Sequence, residues 1–198
     1  PAWNQGAMSA GVGVYAGQEP SESEFAYQAP AFYRDGLSAT VAVHVGPDYQ
    51  TVRVNGKIDA SLQIFDRLTM YLTGYVPGLL HRDPREVVVI GFGAGMTVEA
   101  LSQFSSVERI DCVELEPAIL EAGRFWKGYN GDVLENPKVH VSVNDGRTFI
   151  LASNRSFDLI ASEPSNPWIA GVGTLFTEDF YGHCRRRLKP GGIMCQWF

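Results

Sequence analysis

The sequence contains no long hydrophobic run and no surplus of basic residues. No apolar stretch reaches the roughly 18 residues of a membrane-spanning helix, so no span is predicted. The 198 residues carry a formal net charge of −6, which is the wrong sign for neutralising phosphates and argues against a nucleic-acid partner. The first basic residue is Arg34, whereas a secretory signal places a positive charge ahead of its apolar stretch. A signal peptide is therefore not expected.

Cysteine and histidine are scarce and scattered along the chain. Cys112, Cys184 and Cys195 form no C-x-x-C pair, and the four histidines lie far apart. Because metal sites and disulfide frameworks depend on close or regular spacing of such residues, neither is expected. Unpaired thiols are typical of a reducing compartment, so the predicted location is the cytoplasm.

The composition is that of a folded domain, with 45% hydrophobic and 19% charged residues. Residues 1–36 are rich in Ala, Gly, Ser and Glu and predict a loosely ordered lead-in. Residues 37–84 contain two alternating β-rich runs separated by turn residues, followed by apolar residues at helical spacing. This pattern predicts a small region with a β-hairpin and a helix from Ser61 to about Leu80.

From residue 85 onward, apolar strands alternate with helices. Five strands that are apolar on both faces indicate an α/β fold with a parallel sheet covered by helices on both sides. The predicted strand order is 3-2-1-4-5, as in a doubly wound sheet. The chain reaches Phe198 on the fifth strand, where an edge is left that later strands usually cover. We therefore expect residues 85–198 to be one domain, truncated at its C-terminus.

A glycine loop joins the first of these strands to a helix. Gly91-Phe92-Gly93-Ala94-Gly95 follows the strand VVVI directly and precedes the helix directly. Glycines are required where a strand turns sharply and a nucleotide approaches the backbone, and the helix N-terminus favours an anion. A tight structural turn is the alternative explanation.

Carboxylates follow three strands at the same predicted edge of the sheet. Glu114 ends the second strand about 20 residues after the glycine loop, where nucleotide-binding folds place an acid that accepts from ribose hydroxyls. Asp145-Gly146 ends the third strand, where the carboxylate could accept from an adenine amino group, and Glu163 follows the fourth. A Rossmann-like nucleotide-binding domain is thus predicted. The spacing alone does not separate NAD from an adenosyl-sulfonium cofactor.

These motifs resemble the spermidine synthase (polyamine aminopropyltransferase) family, and most closely bacterial spermidine-synthase-like domains fused to membrane-spanning segments. The resemblance rests on GFGAG, VELEP, NDGR, EPSNPWIAGVGTLFTEDFY and LKPGGIMCQW, and extends from about residue 37 to the end. It implies a decarboxylated S-adenosylmethionine donor, an amine or polyamine acceptor, and a homodimer. It also allows attachment to a membrane segment in a longer protein.

The resemblance also implies a role for each motif. Gly91, Gly93 and Gly95 match the nucleotide loop, Glu114 the ribose-binding acid, and Asp145 the adenine-side acid. Glu163 matches the acid that accepts a proton from the attacking amine. A protonated amine cannot attack, so a carboxylate near the sulfonium can hold the amine, take its proton and aim the nitrogen.

The chain departs from the family pattern at several positions. Ala94 and Asn166 stand where the family has acids, and only Asp66, and Asp59 with less support, remain as acceptor-binding acids before the glycine loop. Trp168 either covers the ligand or packs the loop. Fewer anions weaken the hold on a polycation, and a missing acid at position 94 removes repulsion against a carboxylate. Three hypotheses stay open: aminopropyl transfer, a transferase or lyase acting on S-adenosylmethionine itself, and a non-catalytic nucleotide-binding domain of a membrane protein.

Overall fold

The protein, in a computed structural model, contains an antiparallel sheet followed by a parallel one; the structure describes residues 5–9, 29–167 and 171–198. The antiparallel sheet has the order β1-β2-β3-β4 and follows a short helix, α1. Its elements are α1 Gln5–Met8, β1 Phe32–Asp35, β2 Thr40–Val45, β3 Gln50–Val54 and β4 Lys57–Ser61.

The predicted hairpin is β2–β3, in which Val43 lies opposite Val52. One further strand flanks it on each side. Residues 32–35, which the composition placed in the lead-in, form β1 because they pair with residues 40–43 of β2. Most of the remaining lead-in, and Trp168, lie outside the described residues.

The parallel sheet has five strands in the order β7-β6-β5-β8-β9. This is the predicted order 3-2-1-4-5, and the α/β fold class is confirmed. The strands are β5 Glu86–Ile90, β6 Arg109–Glu114, β7 Val139–Val143, β8 Phe157–Ser162 and β9 Leu188–Gln196. Since all five run in one direction, their carboxyl ends meet at a single edge of the sheet.

Helices connect these strands. They are α2 Ile64–Leu80, α3 Met96–Ser102, α4 Pro117–Gly123, α5 Lys127–Asn130, α6 Gly146–Ala152 and α7 Glu178–Arg187, with 3₁₀ turns at Arg124–Trp126, Val133–Glu135 and Val172–Phe176. The helix predicted from Ser61 starts at Ile64, because Ser61 is still paired in β4. In the part of the chain that is described, no helix combines the length and apolarity that crossing a membrane requires.

Hydrophobic cores lie on both faces of the parallel sheet. Successive residues of β5 alternate between them: Val87 and Val89 join a cluster that includes Trp126, whereas Val88 and Ile90 join a cluster that includes Phe180. This alternation explains why the strand is an unbroken apolar run, since side chains on both sides must be buried. The two cores occupy the faces of the sheet, so a binding site is expected at the edge formed by the carboxyl ends of the strands.

Ion pairs stabilise the opposite part of the sheet, near the beginnings of the strands. The buried Asp111 carboxylate lies 2.7 Å from Arg109 and 2.5 Å from Arg155, and Asp158 lies 2.9 Å from Lys189. Because these acids already have cationic partners, we interpret them as structural. The acids at the carboxyl ends of the strands have different surroundings.

Candidate active site

The glycine loop, residues 91–95, turns the chain from β5 into α3. Gly91, Gly93 and Gly95 have φ values of +88°, +54° and +83°, a region that residues with a side chain rarely adopt. Three such residues within five explain why this segment needs glycine at every second position. The loop lies at the carboxyl end of β5, in the middle of the sheet.

Gly91 and Gly93 differ in what surrounds them. A Cβ added at Gly91 would lie 2.5 Å from the carbonyl oxygen of Glu163, because the backbone N–H of Glu163 donates to the Ile90 carbonyl and holds the two strand ends together. A Cβ added at Gly93 would meet no atom of the described residues within 4 Å. Gly91 is thus required by packing, whereas Gly93 borders space that the described part of the chain leaves open to a ligand.

This contrast gives a matched pair of variants. Gly91→Ala should lower the free energy of unfolding by about 3 kcal/mol, since backbone strain adds to a backbone clash. Gly93→Ala should cost only about 1 kcal/mol, because strain acts alone there. Urea denaturation of both variants measures the difference. Equal losses would contradict the close approach of Gly91 to Glu163.

Glu114 ends β6 directly beside the glycine loop. The residue is 8% exposed, and its carboxylate accepts from the backbone N–H of Phe92 at 2.8 Å and of Glu116 at 2.9 Å. Burial raises the pKa of the Glu114 carboxyl, and the backbone N–H donors oppose that rise. The backbone N–H of Leu115 also interacts with it, and since a carboxylate has about four acceptor positions, it keeps capacity for a further donor. Glu114 braces the loop and can still bind a hydroxyl group.

Glu116, two residues later, was not identified from the sequence. One of its oxygens accepts from the backbone N–H and the hydroxyl of Ser38, at 2.7 and 2.9 Å, and the other accepts from the N–H of Ala118. Burial alone would raise the pKa of Glu116, but these hydrogen bonds outweigh it and the pKa is lowered. Glu116 therefore joins the antiparallel sheet to the first turn of α4. Its position directly before Pro117, a typical first helical residue, was the available signal.

Asn130 of α5 supports the glycine loop and, like Glu116, was not identified from the sequence. Its side-chain amide donates to the carbonyl oxygens of Ala94 at 2.9 Å and Gly123 at 3.0 Å, and the residue is 2% exposed. The side chain of Ala94 is fully buried in the hydrophobic core. No local pattern marks Asn130, since an Asn before a Gly is typical of an ordinary turn.

Asp145 and Gly146 follow β7, next to the end of β6. The backbone N–H of Asn144 donates to the Glu114 carbonyl at 2.9 Å, which places the two strand ends side by side. One oxygen of Asp145 accepts from the N–H of Thr148 at 2.7 Å and caps α6. Gly146 allows α6 to pack against Ile90, whose side chain a Cβ would strike. In the described part of the chain, the hydrogen bond to Thr148 uses one oxygen of Asp145, and the second oxygen stays available to other donors.

Glu163 follows β8 and lies next to the glycine loop. The residue is partly exposed, but its carboxyl group points inward and contacts the hydroxyl of Thr97. Burial raises the pKa of Glu163 to about 7, and the hydrogen bond with Thr97 lowers this pKa by a smaller amount. A carboxyl group with such a pKa can both take and release a proton near neutral pH, as general acid–base chemistry requires.

The segment of residues 163–167, here the 163–167 loop, is tied to the antiparallel sheet. The hydroxyl of Ser165 donates to Asp59 at 2.9 Å, and Lys57 lies 2.5 Å from the same Asp59 oxygen. Asn166 lies half-buried in this loop. Asp66 instead accepts from the hydroxyl of Ser61 at the start of α2. Of the two acids left open by the sequence, Asp59 is the one in contact with the loop.

The strand ends therefore bring most of the expected residues to one edge of the sheet. From β7 to β8 the order is Asp145, Glu114, the glycine loop and Glu163. Across the described ranges 5–9, 29–167 and 171–198, no cluster of three or more His, Cys, Asp or Glu side chains is placed to hold a metal ion. A parallel sheet with a glycine loop and strand-end acids defines the Rossmann-like class of α/β proteins.

The chain belongs to the spermine/spermidine synthase domain family, whose family model matches residues 70–197. It is 34% identical over 122 residues to a polyamine aminopropyltransferase of Nitrosomonas europaea, covering 61% of this chain and 37% of that protein. It is 33% identical over 120 residues to a polyamine aminopropyltransferase of Alkaliphilus oremlandii, covering 61% and 42% respectively. The chain thus spans about two fifths of the length of the curated relatives it matches.

Solved structures share the fold. A spermidine synthase crystallised with the transition state analogue AdoDATO superimposes with a TM-score of 0.77 at 23% identity, covering 83% of this chain and 56% of that one. A spermidine synthase from Thermotoga maritima gives a TM-score of 0.74 at 23% identity, covering 83% and 55%. At this identity the similarity establishes the fold.

Proposed function

We propose that the protein transfers an aminopropyl group from decarboxylated S-adenosylmethionine to an amine and releases methylthioadenosine. The observation that carries the proposal is the buried Glu163 carboxyl beside the glycine loop, where a proton acceptor is needed. Membership of the spermine/spermidine synthase domain family supports it, as do relatives named polyamine aminopropyltransferase. The binding of AdoDATO by a spermidine synthase of the same fold is consistent with an adenosyl donor.

The donor would lie across the carboxyl ends of β5, β6 and β7. Gly91, Gly93 and Gly95 would face the adenosine and methylthio portion, and the open space at Gly93 supports this placement. The acceptor capacity left on Glu114 suits a ribose hydroxyl. Asp145 and Gly146, next to Glu114 at the strand ends, would lie on the adenine side.

The chemistry requires little beyond positioning and one proton transfer. The amine nitrogen attacks the carbon next to the sulfonium, a C–N bond forms, and the C–S bond breaks with its electron pair returning to sulfur. Methylthioadenosine leaves as a neutral thioether, and the proton lost by the amine passes to Glu163. Because sulfur is already a good leaving group, alignment of the nitrogen supplies most of the acceleration.

The acceptor would be a small amine or polyamine entering near the 163–167 loop. Asn166 and Asp66 are the residues proposed to line its path. The pairing of Asp59 with Lys57 neutralises one carboxylate next to the loop, which favours an acceptor of lower charge than a long polyamine. We also propose that the protein forms a homodimer and is located in the cytoplasm, and that a longer protein containing this chain is attached to a membrane segment.

Calorimetry with methylthioadenosine tests the donor site without requiring turnover. The protein should bind this product, and Glu114→Gln should weaken binding by about tenfold, since an amide nitrogen would face the ribose hydroxyls and the Phe92 N–H. Glu121→Gln, on the exposed side of α4, is the matched control and should bind normally. Absence of binding to the unmodified protein at high micromolar concentration would refute the donor site.

A second candidate function is a reaction of intact S-adenosylmethionine. It is favoured by Ala94, which places a buried methyl group where the resemblance expects an acid, so no carboxylate there would repel that of the ligand. Tighter binding of S-adenosylmethionine than of its decarboxylated form would support this candidate. The opposite preference would reject it in favour of aminopropyl transfer.

A further inference from the structure

The hydroxyl of Thr97 lies where three structural elements meet. Thr97 is the second residue of α3 and is 1% exposed. Its oxygen lies 2.7 Å from the backbone carbonyl of Met70 in α2 and also contacts a carboxyl oxygen of Glu163 after β8. A buried hydroxyl with two oxygen partners, one of them in the active site, is not explained by packing alone.

The helices around Thr97 hold this arrangement closely. A Cβ added at Gly74 of α2 would lie 2.7 Å from the Cβ of Ala100 and 2.8 Å from the carbonyl oxygen of Thr97. Only glycine therefore allows α2 and α3 to approach to this distance. The Met70 carbonyl is kept within hydrogen-bond reach of the Thr97 hydroxyl as a result.

The hydroxyl cannot donate to both partners at once, because it carries one proton. When it donates to the Met70 carbonyl, its contact with Glu163 is a hydrogen bond only if Glu163 is protonated and donates to Thr97. When Glu163 is ionised, the hydroxyl must donate to the carboxylate instead. The two directions of this hydrogen bond therefore correspond to the two protonation states of Glu163.

Among the described residues, the other titratable groups near Glu163 do not provide such a switch. On β9, burial and the charge of Glu163 both raise the pKa of the Cys195 thiol, which stays protonated. On β4, Asp59 reaches the 163–167 loop through Ser165 but is paired with Lys57. From α2 and α3, the described contacts at this point are the Met70 carbonyl and the Thr97 hydroxyl.

We propose that Thr97 is a positioning residue for Glu163, and that its hydroxyl reverses its hydrogen bond with Glu163 when Glu163 gains or loses a proton. It donates to the ionised carboxylate and fixes its orientation before reaction. It turns to the Met70 carbonyl once Glu163 has taken the proton from the amine, and then accepts from the new carboxylic acid. The role of the amine as proton source rests on the proposed function; the coupling between the hydroxyl and the protonation of Glu163 does not.

Titration of Glu163 in the ligand-free protein tests the coupling. With ¹³C-labelled glutamate, the Glu163 carboxyl resonance is identified by its loss in Glu163→Gln, and its midpoint is followed by NMR. Thr97→Val should raise the midpoint by about one pH unit, a tenfold change in proton affinity, because the ionised form loses a donor. Thr97→Ser should titrate like the unmodified protein. Thr97→Ala should raise the midpoint as Thr97→Val does, and it replaces Thr97→Val in the test if the valine variant does not fold.

A midpoint that stays unchanged or falls in Thr97→Val or Thr97→Ala would overturn the proposal, as would an equal rise in Thr97→Ser. The acid limb of the pH profile of kcat/KM should move with the midpoint, which a purely structural role would not cause. Absence of transfer with every donor and amine would reject the proposed function. The midpoint in the ligand-free variants would still decide the role of Thr97.

Discussion

Glu163→Gln should lower the rate of aminopropyl transfer by about a hundredfold or more while leaving methylthioadenosine binding intact, since general base catalysis contributes about 10²–10⁴-fold. The amide keeps the shape of the side chain and its contact with Thr97, but it cannot accept the proton of the amine. Release of methylthioadenosine from a panel of donors and amines measures the rate, and calorimetry measures the binding.

The control for this variant is Glu178→Gln, an exposed glutamate in the first turn of α7. It changes the net charge equally and should leave the rate unchanged. Loss of transfer in Glu163→Gln alone would also exclude a purely non-catalytic domain. Full activity of Glu163→Gln would instead remove Glu163 as the base.

The pH dependence follows from the same residue. Because burial raises the pKa of Glu163 to about 7, the carboxyl is protonated below that pH and cannot act as a base. The rate of transfer should therefore rise as the pH increases through about 7. A rate that is level down to pH 5 would contradict the assignment, since it would indicate a base of ordinary glutamate pKa.

Glu116→Ala should lower the free energy of unfolding by about 2 kcal/mol, as a buried donor left without its acceptor costs about 1–3 kcal/mol and the N–H of Ala118 is such a donor. The deleted carboxylate serves the N–H and hydroxyl of Ser38 and the N–H of Ala118. Urea denaturation monitored by circular dichroism measures the loss. Glu121→Ala, on the same helix, removes only an exposed pair with Arg34 and should cost about 1 kcal/mol or less.

The stabilising effect of Glu116 should depend on pH with a definite sign. Its pKa is lowered in the folded protein, so its contribution is fully present above the ordinary pKa of glutamate. It is lost as the pH falls through the lower folded-state pKa. The difference in stability between the unmodified protein and Glu116→Ala should therefore shrink in acid. A difference that grew in acid would refute the hydrogen-bonded carboxylate.

The sequence predicted the features that depend on local patterns. The apolar strands and the glycines at alternate positions predict β5 and the glycine loop, because periodicity and positive φ are properties of short segments. The strand order followed from the doubly wound fold class that the alternation of strands and helices indicates. Glu114, Asp145 and Glu163 were predicted as site residues because they lie at or just after the ends of strands. Parallel strands bring such positions to one edge whatever the details of packing.

The remaining site residues depend on contacts between distant parts of the chain. Asn130 supports the glycine loop from a position 36 residues away, and Thr97 meets Glu163 across 66 residues. Both residues are ordinary in their local context, so only the packing of helices gives them a role. The same holds for Asp59, whose contact with Ser165 spans 106 residues. Local patterns contain no information on these pairings.

The antiparallel sheet holds two opposite flanks of the proposed donor site. Through Asp59 and Ser165 it holds the flank where the amine would enter, and through Ser38 and Glu116 it holds the flank next to Glu114. A single displacement of this small sheet would thus loosen both ends of the bound donor together. Substitutions in its core, such as at Val43 or Val52, are expected to change donor affinity and turnover jointly, although they touch neither substrate.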